Sequence, residues 1–295
     1  MAHSYGQIYL SSTNAWFLMI RQQIFSKIFT VLWTLFPGII KKIIKKQFFT
    51  PERFMLPPET INRILPGKAF DLMINEDTIK CRQWGEGPAI VCVHGWSGCG
   101  LQFYGFVDSA VSSGFSVIVF DGPGHGLSSG KTCTYFQMTD VVRALLCRPH
   151  AFCVAGLIGH SFGTAAIINS LSKENLTLPA VLIAPALQLK QMIDAAFGHY
   201  GIPGRVYMES IAEFEKKYGY SFIDDNPVNL LKNENQLFLI VHDKDDPVIP
   251  CIESEKAADR FPSLKLMVTK NLGHKRILKD ETVIKTSLSF IRDHS

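Results

Sequence analysis

The sequence predicts an α/β protein with a mostly parallel central sheet, helices on both faces and a short helical cap. Three observations carry that expectation. Short apolar runs of strand length recur between stretches of helical period, the pattern of a parallel sheet with crossover helices. Residues able to do chemistry gather where those runs end, and in such sheets ligands bind beyond the carboxyl ends of the strands. Third, residues 152–168 read FCVAGLIGHSFGTAAII: an apolar strand, a turn of the form G-x-S-x-G, then good helix material. Such a turn holds its serine, Ser161, in a strained conformation with the hydroxyl clear of the sheet. Gly159 and Gly163, lacking a Cβ, let strand and helix pass close together.

Residues 1–67 are expected to form an arm and connector ahead of the main domain, residues 68–295. From Gln22 to Phe36 the apolar residues recur at helical spacing, with Gln23, Ser26, Lys27, Thr30 and Thr34 on the other side. Pro37-Gly38 interrupts, and Ile39-Ile40-Lys41-Lys42-Ile43-Ile44-Lys45-Lys46 forms a second amphipathic set with a basic face. The uncharged run Ile28–Ile40 is 13 residues long, where a spanning helix needs about 20. No Lys or Arg precedes Arg21, so the charged start of a signal peptide is missing. Two readings of the arm stay open. Its helices pack on the body or form part of a substrate entrance, or residues 22–48 make a peripheral membrane contact, apolar face in lipid and lysines on anionic headgroups. Residues 50–67, with Pro51, Pro57, Pro58, Pro66 and Gly67, read as an extended connector.

In the body, Lys68–Ile74 and Asp77–Trp84 alternate around Asn75-Glu76 as a hairpin. Ala89–Val93 is a buried strand ending in His94-Gly95-Trp96-Ser97-Gly98, and a helix is expected near Leu101–Ser112. Ser116–Phe120 is the next strand, ending in Asp121-Gly122-Pro123-Gly124-His125-Gly126. Residues 135–147 read as a helix opened by a capping box of Thr134 and Gln137. Cys153–Ile158, Ala180–Ala184, Gln236–Val241 and Lys265–Thr269 supply four more strands. The insertion at about 186–234 is the place for the cap. Gln191–Phe197 is its apolar part, and Ser210-x-x-Glu213 with the charged run Glu213–Lys217 reads as the start of a solvated helix.

Composition narrows the function. Residues 1–50 hold six Lys or Arg and no acidic residue, while the remainder carries 24 basic and 26 acidic residues. The net charge of +4 therefore belongs to the arm, and the body offers no case for nucleic-acid binding. Seven cysteines without a C-x-x-C pair argue against a disulfide framework or zinc site and for a reducing, cytoplasmic compartment. Neither metal-ligand spacing nor a phosphate-cradling Gly-rich loop occurs, so no cofactor is expected.

Residues 68–293 resemble the α/β-hydrolase family. HGWSG after one strand, DGPGHG after the next, GHSFG at the turn, HDKDDPVIP after a late strand and GHKRIL near the end follow that family's order and spacing. The resemblance implies the α/β-hydrolase fold and a serine nucleophile, Ser161. His274 has the right chain order for the base, after nucleophile and acid. In related sequences the acid stands four residues before the proline closing its loop. Pro250 thus selects Asp246, with Asp245 the runner-up, the remaining carboxylates being expected to cap the following helix and face solvent. The oxyanion hole falls by resemblance at the backbone N–H groups of Trp96 and Phe162. His94 is expected to brace its loop, His125 to belong to a tight structural loop, and His160 to face substrate or only pack.

The expected activity is hydrolysis of a small-molecule carboxylic ester through an acyl-enzyme. A lipase, thioesterase, peptidase or C–C bond hydrolase would use the same machinery, and a non-catalytic receptor could keep the fold. Serine at the turn disfavours haloalkane dehalogenase and epoxide hydrolase chemistry, whose family members carry aspartate there.

Overall fold

The structure, a computed structural model, describes residues 25–61, 67–147, 153–231 and 236–295. The arm forms two helices, α1 over residues 25–35 and α2, Pro37–Phe49. Proline disfavours helical geometry in the residue before it but suits a helix's first position. Phe36 is accordingly non-helical, with φ −136° and ψ 55°. The expected start of this period at Gln22–Ile24 lies outside the described residues. The connector departs from expectation: one helical turn, α3, Pro58–Ile61, interrupts it where Pro57 C=O accepts from the N–H groups of Thr60 and Ile61. Its residues 62–66 lie outside the described residues.

Eight strands follow: β1 (Lys68–Ile74), β2 (Asp77–Trp84), β3 (Ala89–Val93), β4 (Ser116–Phe120), β5 (Val154–His160), β6 (Ala180–Ile183), β7 (Phe238–Asp243) and β8 (Lys265–Thr269). They form one sheet in the order β1-β2-β4-β3-β5-β6-β7-β8. The pairs β1–β2 and β2–β4 are antiparallel and all others parallel, so only β2 runs against the rest. Two strands extend beyond their apolar runs. β5 continues to His160 and β7 to Asp243, because pairing with β6 and β8 carries the ladder past the last aliphatic residue.

Between the strands lie α4 (Tyr104–Ser112), α5 (Tyr135–Leu146) and α6 (Phe162–Lys173). The predicted Thr134–Gln137 capping box opens α5, with Gln137 N–H donating to Thr134 Oγ1 at 3.2 Å. The stretch between β6 and β7 holds α7 (Leu189–His199), α8 (Gly204–Tyr218) and α9 (Pro227–Leu230); residues 232–235 at its end lie outside the described residues. Here the sequence misleads: α8 begins at Gly204, not at Ser210. Its apolar residues Val206, Tyr207, Ile211 and Phe214 are buried on one face, and that packing sets its start ahead of the Ser-x-x-Glu pattern. The chain ends with α10 (Ile252–Arg260), α11 (Gly273–Arg276) and α12 (Glu281–Arg292).

Both sheet faces are covered, which is why the inner strands are apolar throughout. In β3, Ala89, Val91 and Val93 face one core with α5, α6, α8 and the arm's Ile40 and Ile44. Ile90 and Cys92 face the other, with α4 and α12. A sheet sealed on both faces leaves its edge at the strands' carboxyl ends as the place for chemistry. His94, Asp121, Ser161, Asp246 and His274 all lie there.

Candidate active site

Ser161 occupies the turn between β5 and α6 at φ 53° and ψ −122°, a region that costs a non-glycine residue about 1–3 kcal/mol. Its backbone is held on both sides. The Ser161 N–H donates to Ile183 C=O at 2.9 Å, and Ser161 C=O accepts from Thr164 N–H at 3.0 Å and Thr164 Oγ1 at 2.6 Å. A Cβ on Gly163 would stand 2.3 Å from Val93 O and 2.6 Å from His94 O, so only glycine lets α6 enter this close to β3. The turn thus has the strained strand–serine–helix geometry that the sequence predicts.

The histidine loop is built on carboxylates, Asp243 buried and Asp245 exposed. After β8 the chain passes Asn271 at φ 64° into α11, which carries His274. Asp243, fully buried at the end of β7, accepts from Leu272 N–H (3.1 Å), Gly273 N–H (3.0 Å), Asp245 N–H (3.0 Å) and Thr269 Oγ1 (2.7 Å). Burial works to raise its carboxyl, but these donors hold it below the usual carboxylate range. Asp245 accepts from Asn271 N–H at 2.8 Å. The expectation that these two carboxylates cap the next helix is corrected, since both reach across to the β8–α11 turn; that they face solvent holds for Asp245, which is exposed, and not for Asp243.

Asp246 is the carboxylate that meets His274. Its Oδ2 lies 2.7 Å from His274 Nδ1, while Oδ1 accepts from Val248 N–H (2.7 Å) and Ile249 N–H (3.0 Å). A second imidazole stands behind it. His242 Nε2 donates to Ile249 C=O at 3.0 Å and lies 3.4 Å from Asp246 Oδ2, and His242 Nδ1 lies 2.7 Å from Ser254 Oγ. Burial opposes ionisation of Asp246, but hydrogen bonds from His242 and His274 outweigh it and hold the carboxyl well below its usual range. Asp246 is thus anionic and oriented, able to fix the Nδ1–H tautomer of His274 and support an imidazolium.

The loop after β3 closes the third side. A Cβ on Gly95 would sit 3.0 Å from Ser161 Cβ, so this loop abuts the serine directly. The Trp96 and Phe162 rings meet edge to face at 5.5 Å. Among the described residues neither backbone N–H of this pair donates a hydrogen bond. His94 braces the loop as predicted: Nδ1 donates to Gly95 C=O (2.7 Å) and Nε2 accepts from Gly122 N–H (2.8 Å). His125 likewise donates from Nδ1 to Pro123 C=O (2.9 Å) and accepts Ser97 N–H at Nε2 (3.1 Å). Burial, with repulsion from His94, brings His125 down to about 3.

His160 does not face outward. It is buried, and its Nε2 donates to the backbone C=O of His274 at 2.7 Å, tying the serine turn to the histidine loop. Burial and the neighbouring His274 ring bring it down to about 3. His242, Ser254 and Arg53 escaped the sequence reading, which placed Asp121 at its strand end without a role. Arg53, in the connector, donates to the C=O groups of Gly126 (2.7 Å), Ser128 (2.8 Å) and Gly130 (2.8 Å). A histidine four residues before the chosen aspartate was the available signal for His242. A recess of about 50 Å³ opens between Pro185–Gln188, Met192 and Val248–Pro250, beside the Asp246 loop. Another cavity, about 730 Å³, lies by Gly67, Trp84 and Val107, away from these loops.

Comparison with known proteins agrees with this architecture. Residues 90–240 match the sequence profile described as the alpha/beta hydrolase family. Among solved structures, the chain is similar to an esterase of Pyrococcus furiosus, 17% identical, TM-score 0.63, covering 84% of this chain and 98% of that one. Ferulic acid-bound Est1E of Butyrivibrio proteoclasticus is 15% identical, with TM-score 0.60 and coverage of 77% and 99%. Mouse alpha/beta hydrolase domain-containing protein 10 is 21% identical, with TM-score 0.56 and coverage of 77% and 97%. At these identities the likeness is one of fold. No curated protein sequence matches the chain.

Proposed function

The chain belongs to the alpha/beta hydrolase family, and we propose that within it this protein is a serine hydrolase of carboxylic esters. The observation that carries the reading is the conjunction of a strained Ser161 with His274 held 2.7 Å from a buried Asp246. In the proposed reaction His274 Nε2 takes the proton of Ser161 as its Oγ attacks the ester carbonyl. The backbone N–H groups of Trp96 and Phe162 receive the oxyanion; one such donor contributes about 3 kcal/mol to the transition state. His274 then returns the proton to the departing alcohol, and water cleaves the acyl-enzyme by the same route. One of the similar structures is named as an esterase, which supports the ester reading.

The test needs no choice of substrate. A fluorophosphonate probe should label Ser161, located by peptide mass spectrometry, and labelling should vanish in His274→Ala. Labelling elsewhere, or none on folded protein, would refute an activated serine and direct attention to a binding role. Active protein should then be assayed on oxygen esters and matched thioesters; faster turnover of thioesters would replace the ester reading.

A further inference from the structure

The arm presents two apolar faces where packing on the body uses only one. In α2 the inner face is satisfied: Ile40 and Ile44 are buried in the main core, and Phe48 stacks on Phe197 at 4.0 Å. Lys41 Nζ pairs with Glu213, and Lys45 Nζ lies over the Phe214 ring. Phe29 and Trp33 of α1 pack against the same core. That settles half of the choice the sequence leaves open, since the helices do pack on the body. Yet Ile28, Val31, Leu32 and Leu35 of α1, with Ile39 and Ile43 of α2, remain exposed, Leu35 at 63% and Ile39 at 58%. The spacing 28-32-35 and 39-43 sets them about 100° round their helices from Phe29–Trp33 and Ile40–Ile44, on a flank that the body leaves open. A helix serving only the core would carry polar residues there.

We propose that this outer face docks, without crossing, on the surface of an anionic lipid bilayer. Charge selects that occupant. Lys42 and Lys46 fall on the same face of α2 as Ile39 and Ile43, at three- and four-residue spacing, and both are exposed. The first 50 residues contain no carboxylate to repel acidic headgroups. Lysines flanking an apolar stripe suit an interface whose surface is anionic and whose interior is hydrocarbon. Among the described residues no helix is long and apolar enough to cross a membrane. The connector then leads straight to the site, where Glu52 N–H donates to Ser97 Oγ at 3.0 Å and Arg53 grips the loop after β4.

The full chain should co-sediment with vesicles of phosphatidylcholine and phosphatidylglycerol and stay in solution with phosphatidylcholine alone. Lys42→Gln and Lys46→Gln should each weaken binding about fivefold, and high salt should do the same to the unaltered chain. The triple variant Leu32→Glu, Leu35→Glu, Ile39→Glu should lose binding while keeping its melting temperature, because these side chains are exposed. Absence of the unaltered chain from anionic vesicles would overturn the proposal, as would undiminished binding of the triple variant. A dimer by light scattering that the triple variant converts to monomer, with no vesicle binding, would assign the face to a second copy instead.

Discussion

Lowering the pH from 7.5 to 5.5 should destabilise this protein by about 3 kcal/mol, through buried histidines that brace the site. His125 and His160 are each brought down to about 3 in the folded chain, whereas an unfolded histidine titrates near 6.5. Between those values the unfolded state binds the proton and the folded state does not, so stability falls as pH falls. At pH 5.5, one unit below the unfolded value, each histidine costs about 1.4 kcal/mol. That figure hardly depends on the folded value as long as it lies well below 5.5. His94 is shifted the same way by burial and adds to the loss. The geometry explains why protonation is resisted: His94 Nε2 and His125 Nε2 each accept a backbone N–H, a role an imidazolium cannot fill. The two buried carboxylates of the site, Asp243 and Asp246, do not contribute in this window. Asp243 and Asp246 are lowered in the folded state, so their share is intact above about 3.9 and is lost only at more acidic pH. Urea unfolding followed by circular dichroism at the two pH values measures the difference. His125→Gln should remove about 1.4 kcal/mol of it, whatever that variant's absolute stability. A flat profile, or the same slope in a His125→Gln/His160→Gln double variant, would refute the assignment.

Replacing Asp246 by Asn should lower kcat about 10⁴-fold by presenting His274 with the wrong tautomer. Asp245→Asn, which alters a carboxylate bonded to Asn271 N–H rather than to His274, should cost far less; comparable losses in ester-hydrolysis assays would mean that the loop, not the acid, is being measured. Ser161→Ala and His274→Ala should each remove nearly all activity, and the double variant should lose little more, because the two act as a unit. Multiplicative losses would count against a Ser161–His274 pair.

Local pattern carried much of the fold. Strands such as Ala89–Val93, Ser116–Phe120 and Lys265–Thr269 are bounded by turn residues and match their observed limits. So does the hairpin, whose turn residue Asn75 takes φ 54°. Ser161 was legible because a strained elbow imposes glycines at fixed offsets. Asp246 came out ahead of Asp245 only through a spacing known from related sequences, and the structure places it against His274. The misreadings share one cause: tertiary packing overruled a local signal. A Ser-x-x-Glu pattern at 210–213 resembles a helix start yet lies inside α8, because Val206 and Tyr207 already have a core to enter. Asp243 resembles a solvated cap residue in sequence, yet its partners Leu272 and Gly273 are about thirty residues away. Hydrophobic period cannot encode that pairing.

The same long-range bonds explain how a strained serine persists at the sheet edge. Outside the serine turn, the loops around the site turn on carboxylates that collect backbone N–H groups. Asp121 takes Gly100 (2.8 Å) and Leu127 (2.9 Å), Asp243 takes Asp245, Leu272 and Gly273, and Asp246 takes Val248 and Ile249. Histidines then join loop to loop: His94 joins the β3 and β4 loops, His125 repeats that tie, and His160 links the elbow to His274. A net hydrogen bond contributes roughly 0.5–1.5 kcal/mol, so the three strongest at the Ser161 backbone suffice to offset the roughly 1–3 kcal/mol of strain at its φ and ψ. The position of the serine is therefore over-determined by its neighbours rather than chosen by its own backbone preference. Such a turn keeps the Ser161 hydroxyl presented at the sheet edge, because no single bond holds it there.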